Sequence, residues 1–156
     1  MPFFITLTMF LLLFNPALKA DTLNYFDSDF CTGYLEGTRQ NPGLWKHCCL
    51  EHDLYFWAGG SKKDRSMSDK RLKACVVSTG QKFHAQLIFL GVHLGSLSPF
   101  KIRSKQWGNG WTDRQAYKKL SEQETAELIH FLEISHPELD EKLKISFFNQ
   151  LKSRLD

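Results

Sequence analysis

An imidazole and a carboxylate stand next to each other, His52 and Asp53, directly after a pair of adjacent cysteines in the stretch Leu44-Trp-Lys-His-Cys-Cys-Leu-Glu-His-Asp-Leu-Tyr-Phe-Trp57. A histidine can take a proton from water near neutral pH, because its ordinary pKa is about 6.5. An aspartate offers the hard oxygen that a calcium-like cation binds. On a helix, Cys48 and Cys49 anchor the backbone from two sides while His52 and Asp53 occupy the next turn. A base beside a metal ligand on a stapled helix describes an active site better than a core. A third acid, Asp69, belongs to the segment that also carries Cys75.

The chain has four cysteines, Cys31, Cys48, Cys49 and Cys75. In an exported protein an even count reads as two disulfides. A bond between neighbours Cys48 and Cys49 is strained, and on a helix their side chains diverge by about 100°. Each therefore takes a separate partner from Cys31 and Cys75, in one of two permutations. Zinc held by His47, Cys48, Cys49 and His52 is the competing arrangement, but an oxidising compartment removes the thiolates it needs.

The elements that must position these groups are mainly α-helical. Helix one is expected from Asn41-Pro42, with Asn as N-cap and Pro at the first position, to Gly59-Gly60, where glycine supplies a left-handed cap. Helix two is expected to open at Ser66-Met-Ser-Asp69, a capping-box-like pattern, and to present Leu72, Cys75, Val76 and Thr79 on one face. A disulfide from Cys75 back to helix one makes helix one the element that helix two packs on, and with the two helices antiparallel Asp69 falls near His52. Alone, Asp69 reads as an acid favoured by the macrodipole in a first turn.

Phe83 to Leu97 contains no Asp, Glu, Lys or Arg, and Phe83, Leu87, Leu90 and Leu94 recur at helical spacing, which predicts a buried helix. The loop that follows carries Lys101, Arg103 and Lys105, read as a solvated edge, and Trp107-Gly-Asn-Gly-Trp111, either a lipid-facing loop or two core anchors at a tight turn. Ser121-Glu-Gln-Glu124 is a capping box opening a helix through about Glu133, and Pro137 is expected to open a last helix bearing Leu139, Leu143, Phe147, Leu151 and Leu155. His47, His84, His93, His130 and His136 show no paired spacing and receive no role.

Phe3 to Leu13 is an apolar run followed by Asn15-Pro16 and Ala17-Leu-Lys-Ala20, the pattern of a signal peptide cleaved after Ala20. Residues 21–156 then form one domain, with 121–156 a C-terminal helical extension, secreted or periplasmic. Removing Lys19 leaves 19 basic against 17 acidic residues, from 20 and 17 in the full chain. That balance does not argue for nucleic acid and permits only weak attraction to an anionic membrane.

Residues 30 to 78 resemble the secreted phospholipase A2 superfamily, as a bacterial member with a divergent calcium loop. The resemblance rests on Cys48-Cys49-Leu-Glu-His52-Asp53 and on Asp69 followed by Cys75. It implies a fold whose core is two antiparallel, disulfide-linked helices, and pairings Cys31–Cys49 and Cys48–Cys75. A further bridge common in that family joins the positions of Tyr55 and Ser68, and both its halves are absent here together.

The resemblance further implies calcium-dependent hydrolysis of the sn-2 ester of a glycerophospholipid at a membrane surface. His52 would be the general base, oriented by Asp69, while Asp53 and the backbone carbonyls of Phe30, Thr32 and Tyr34 would hold Ca²⁺. Two positions depart from the pattern. The loop has only Gly33 and Gly37, with Glu36 an alternative oxygen donor, and Phe56 stands where the family has a tyrosine that supports the aspartate, which leaves Tyr55 as a possible substitute. The alternative from another class is a non-catalytic scaffold that binds lipid or a protein partner.

Overall fold

The structure is a computed structural model that describes residues 22–95 and 106–155. The expected signal segment and Lys101, Arg103 and Lys105 lie outside the described residues. Among the described residues the chain is mainly helical, with α1 (Lys46–Ala58), α2 (Lys62–Ser78), α3 (Lys82–Gly95), α4 (Glu122–Ser135) and α5 (Glu141–Lys152). Pairing beyond the helices is an isolated antiparallel bridge, Leu23 to Trp111. No described helix is long and apolar enough to cross a membrane.

Helix α1 begins at Lys46, later than Asn41-Pro42 predicts. The intervening residues are drawn into turns instead: the Leu44 amide donates to the Asn41 carbonyl at 3.2 Å and the Trp45 amide to the Glu36 carbonyl at 2.9 Å. The fully buried Trp45 indole donates to the Leu35 carbonyl at 2.6 Å and so fixes the entry angle. Gly37 is required there, since a Cβ would stand 2.0 Å from the Asn41 carbonyl oxygen. The stop at Gly59 falls where expected, but with φ 76° and ψ −153° the residue is not left-handed helical. It is glycine because its α-carbon lies against Gly108, and a Cβ would come within 2.8 Å of Gly108 Cα.

Helix α2 begins at Lys62, ahead of the expected Ser66. Ser61 and Asp64 form the reciprocal cap: the Asp64 amide donates to Ser61 Oγ at 3.2 Å, and the Ser61 amide donates to Asp64 Oδ2 at 2.8 Å. Asp69 thereby falls in the third turn, away from the helix end, and is buried. The macrodipole explanation for it no longer applies, because that effect fades within the first turn.

Helix α3 buries a different stripe from the expected one. Ala85 and Ile88 are buried and Val92 partly so, spaced i, i+3, i+7, and this narrow row packs on α2. Phe83 is 71% exposed and Leu94 58%, with Leu87 and Leu90 also open. The small Ala85 lets the two helix axes approach, so the bulkier row is turned outward. Helix α4 opens at the Ser121–Glu124 capping box as its sequence predicts. Helix α5 is capped by Asp140, whose side chain accepts from the Leu143 amide, and not by Pro137.

Two apolar clusters flank α1. One joins Leu54, Tyr55, Trp57 and Ala58 to Phe26, Trp107, Trp111 and the α4–α5 residues Leu128, Leu132, Phe147 and Leu151. The other gathers Cys31, Trp45, Cys48, Cys49, Leu72, Val76, Ala85 and Ile88. Trp107 and Trp111 are core anchors: their indoles donate to the Gly60 and Ala58 carbonyls at 2.7 and 2.8 Å. With α1 buried on both sides, it is the fixed axis on which the site is built.

Candidate active site

Two disulfides form, Cys31–Cys49 and Cys48–Cys75. The first ties the segment around residue 31 to α1, and the second ties α1 to α2. All four cysteines are paired, which leaves no thiolate for zinc, although His47 Nε2 lies 3.4 and 3.5 Å from the two sulfurs of the second bridge. Contacts between 48 and 75 and between 52 and 69 run in opposite senses along the two helices, so α1 and α2 are antiparallel.

Across that interface His52 Nε2 lies 3.0 Å from Asp69 Oδ1, with both side chains buried. A carboxylate can only accept, so Nε2 carries the hydrogen and Nδ1 is left as the proton acceptor. The second Asp69 oxygen faces His93 Nδ1 at 4.0 Å, and His93 stacks on Phe89. Asp69 is thus set between two imidazoles, a relation that no sequence spacing signals because it depends on α3 crossing α2.

Asp53 faces the loop pinned by Cys31. The Ser28 hydroxyl donates to Asp53 Oδ2 at 2.5 Å, and the same oxygen of Ser28 accepts from the Phe30 amide at 3.1 Å. Ser28 therefore couples α1 to the loop, and sequence reasoning missed it. Within the loop the Thr32 amide donates to the Phe30 carbonyl and the Tyr34 amide to the Cys31 carbonyl. Phe30 adopts φ 55°, an uncommon conformation for a side-chain-bearing residue, and Gly33 φ 69°. Tyr34 Oη lies 2.8 Å from His84 Nδ1, while His84 stacks on Trp45, so a histidine given no role by sequence holds the loop to α3.

These residues surround one cleft of about 360 Å³, within the range of small-ligand sites. Its walls include His52, Asp53, Phe30, Thr32 and Tyr34 together with two acids not singled out by sequence, Asp27 and Asp29. The available donors are carboxylate and carbonyl oxygens, the chemistry that a calcium-type cation takes. The apolar side of the cleft comes from Leu72, Leu87, Ile88 and Val92. Asp69 braces His52 from behind.

Phe56 packs at a tilt against His52, ring centroids 4.6 Å apart and planes inclined by 38°, and meets Trp107 edge-on at 5.2 Å. It sets the imidazole's tilt by packing and offers no hydroxyl to the carboxylates. Tyr55 does not substitute for one. Its fully buried ring lies on the other side of α1 against Phe147 and under the Arg154 guanidinium, where burial pushes the phenol's pKa up. Ser68 is likewise fully buried.

No family model, curated protein or solved structure matches this chain.

Proposed function

We propose that this chain hydrolyses the sn-2 acyl ester of glycerophospholipids in a calcium-dependent reaction, on a phospholipase A2-like core of two antiparallel stapled helices. The observation that carries this is the buried 3.0 Å contact of His52 with Asp69, with His52 lining a cleft that Asp53 and the Phe30–Tyr34 loop also line. Asp69 accepts the Nε2 hydrogen, which leaves Nδ1 to take a proton from a water aimed at the ester carbon. The imidazolium that results is stabilised by the Asp69 carboxylate and returns the proton to the departing alkoxide. Water is the nucleophile, and no acyl-enzyme forms. Asp53 and the carbonyls of Phe30, Thr32 and Tyr34 would hold Ca²⁺, which when bound supplies positive charge to the phosphate and to the developing oxyanion.

The exposed row Phe83, Leu87, Leu90 and Leu94 on α3 supports a lipid surface as the partner, because Leu87 belongs both to that row and to the cleft wall. Residues on an exported, disulfide-bonded protein would meet such a surface outside the cytoplasm. Two hydrogen bonds favour the scaffold alternative: Asp53 already accepts a hydroxyl from Ser28, and the Phe30 carbonyl already accepts the Thr32 amide.

Vesicles of a phosphatidylcholine with different acyl chains at the two positions separate these. The proposal expects the sn-2 acid alone to be released, with calcium and not with a chelator. Release of no acid by the purified, oxidised protein leaves the scaffold as the function.

A further inference from the structure

The α1–α2 interface repeats at one-turn steps along α1: Cys48 bonds Cys75, His52 meets Asp69, and Phe56 meets Arg65. In the last of these the Arg65 guanidinium carbon stands 4.6 Å from the Phe56 ring centroid, and that ring is the one packed at a tilt against His52. Arg65 lines the cleft. Its other contacts are with neutral acceptors at the long end of hydrogen bonding: Nη2 to the Val92 carbonyl at 3.3 Å and Nη1 to Tyr117 Oη at 3.4 Å.

Arg114 and Arg154, by contrast, face Glu124 and Asp64 at 2.5 and 3.6 Å. Among the described residues no carboxylate pairs with Arg65. The fold thus holds a half-buried guanidinium in place by an aromatic face and two weak acceptors, with no carboxylate of the described residues at ion-pair distance. A guanidinium has about five N–H donors in a planar fork matched to paired anionic oxygens.

We infer that Arg65 grips the anionic oxygens of a phosphodiester and so sets the headgroup side of the substrate, an inference that rests on the lipid-ester reading of this cleft. Arg65 precedes Asp69 by one helical turn, about 6 Å along the axis. In a glycerophospholipid the phosphorus lies only a few bonds from the sn-2 ester oxygen, a span of the same order. A carboxylate could occupy the same fork, but the fatty acid released by the reaction forms at His52 itself, one turn away. Phe56 gains a function here: its ring face carries the Arg65 cation beside the imidazole.

The test is equilibrium binding, which needs no turnover. A short-chain diether phosphocholine below its micelle concentration, and octanoate as the carboxylate probe, are titrated calorimetrically into the wild-type, Arg65→Gln and Arg65→Lys proteins, each with its melting temperature checked. Arg65→Gln is expected to weaken diether binding by about tenfold or more, since a charge-assisted pair is lost, and octanoate binding not at all. Arg65→Lys keeps the charge without the fork and should fall between. Equal diether binding by wild type and Arg65→Gln, no diether binding by the wild type, or a loss confined to octanoate each overturns the inference. Acid release from vesicles by a protein whose diether binding ignores Arg65 would leave the hydrolytic reading standing without it.

Discussion

His52 and Asp69 meet at 3.0 Å across the interface of α1 and α2, both buried, one turn along α1 from the Cys48–Cys75 bridge that joins the same two helices. The covalent bond and the hydrogen bond constrain the same pair of helices, so the orientation of the imidazole is set by the scaffold before any substrate arrives. That is what a general base requires: a fixed tautomer, a fixed direction, and a carboxylate to receive the charge.

Asp69→Asn keeps the shape of the side chain but removes the charge, and its amide can present a donor to Nε2. The tautomer preference is lost, and phospholipid hydrolysis should fall by about a hundredfold or more with little change in substrate affinity. Steady-state kinetics on vesicles checks this, and a fall in affinity alone speaks against the assigned role.

Replacing Cys48 and Cys75 together by serine removes a crosslink between positions 27 residues apart. Chain-entropy reasoning for a loop of that size predicts a loss of about 3–4 kcal/mol, read as a lower denaturation midpoint. Activity should drop even where the protein is still folded, because α2 then holds Asp69 less rigidly.

Glu124 gives a pH-dependent stability term distant from the site. Burial alone would raise its pKa, but the Arg114 guanidinium, the Ser121 amide and Lys118 outweigh that and hold it at about 2, against an ordinary 4.5. Its folded pKa is depressed, so its contribution is present above about 4.5 and lost as pH falls towards about 2. The stability difference between wild type and Glu124→Gln should therefore be largest at neutral pH and shrink through that window, which denaturant titrations at several pH values measure.

Much of this site was legible because it depends on local spacing. The Cys48-Cys49 pair followed by His52-Asp53 places two staples, an imidazole and a carboxylate on adjacent turns of one helix. The Ser121–Glu124 cap likewise follows from four residues. What escaped the sequence depends on tertiary approach. The start of α1 was decided by the Trp45 indole reaching Leu35, and the start of α2 by Asp64 serving as the cap's acid. On α3 two apolar rows competed, and the choice fell to Ala85 and Ile88 because close packing on α2 favours a narrow row. Ser28, His84 and His93 touch the site only through the fold.

Glu substitutions at Leu90 and Leu94 should separate surface docking from chemistry. Both side chains are exposed and neither lines the cleft. Placing charges on the row should weaken co-sedimentation with phospholipid vesicles by about tenfold or more while leaving hydrolysis of monomeric short-chain lipid unaltered. Unchanged sedimentation assigns membrane contact to another face.

Gly110→Ala tests the packing that closes the other side of α1. A Cβ there would stand 2.6 Å from both the Trp57 indole nitrogen and the Trp57 carbonyl oxygen, so backbone must shift. A loss of about 1–3 kcal/mol is expected from thermal or denaturant unfolding.

In the proposed reaction His52 activates water against a lipid ester. A single-turnover assay of fatty-acid release from phospholipid vesicles in saturating calcium, comparing the wild type with a folded His52→Gln variant, tests it most directly. Release by the wild type is expected, with a rate lower by about a hundredfold or more in the variant. Equal rates in the two proteins, or no release from a wild type that is oxidised and folded, would contradict it.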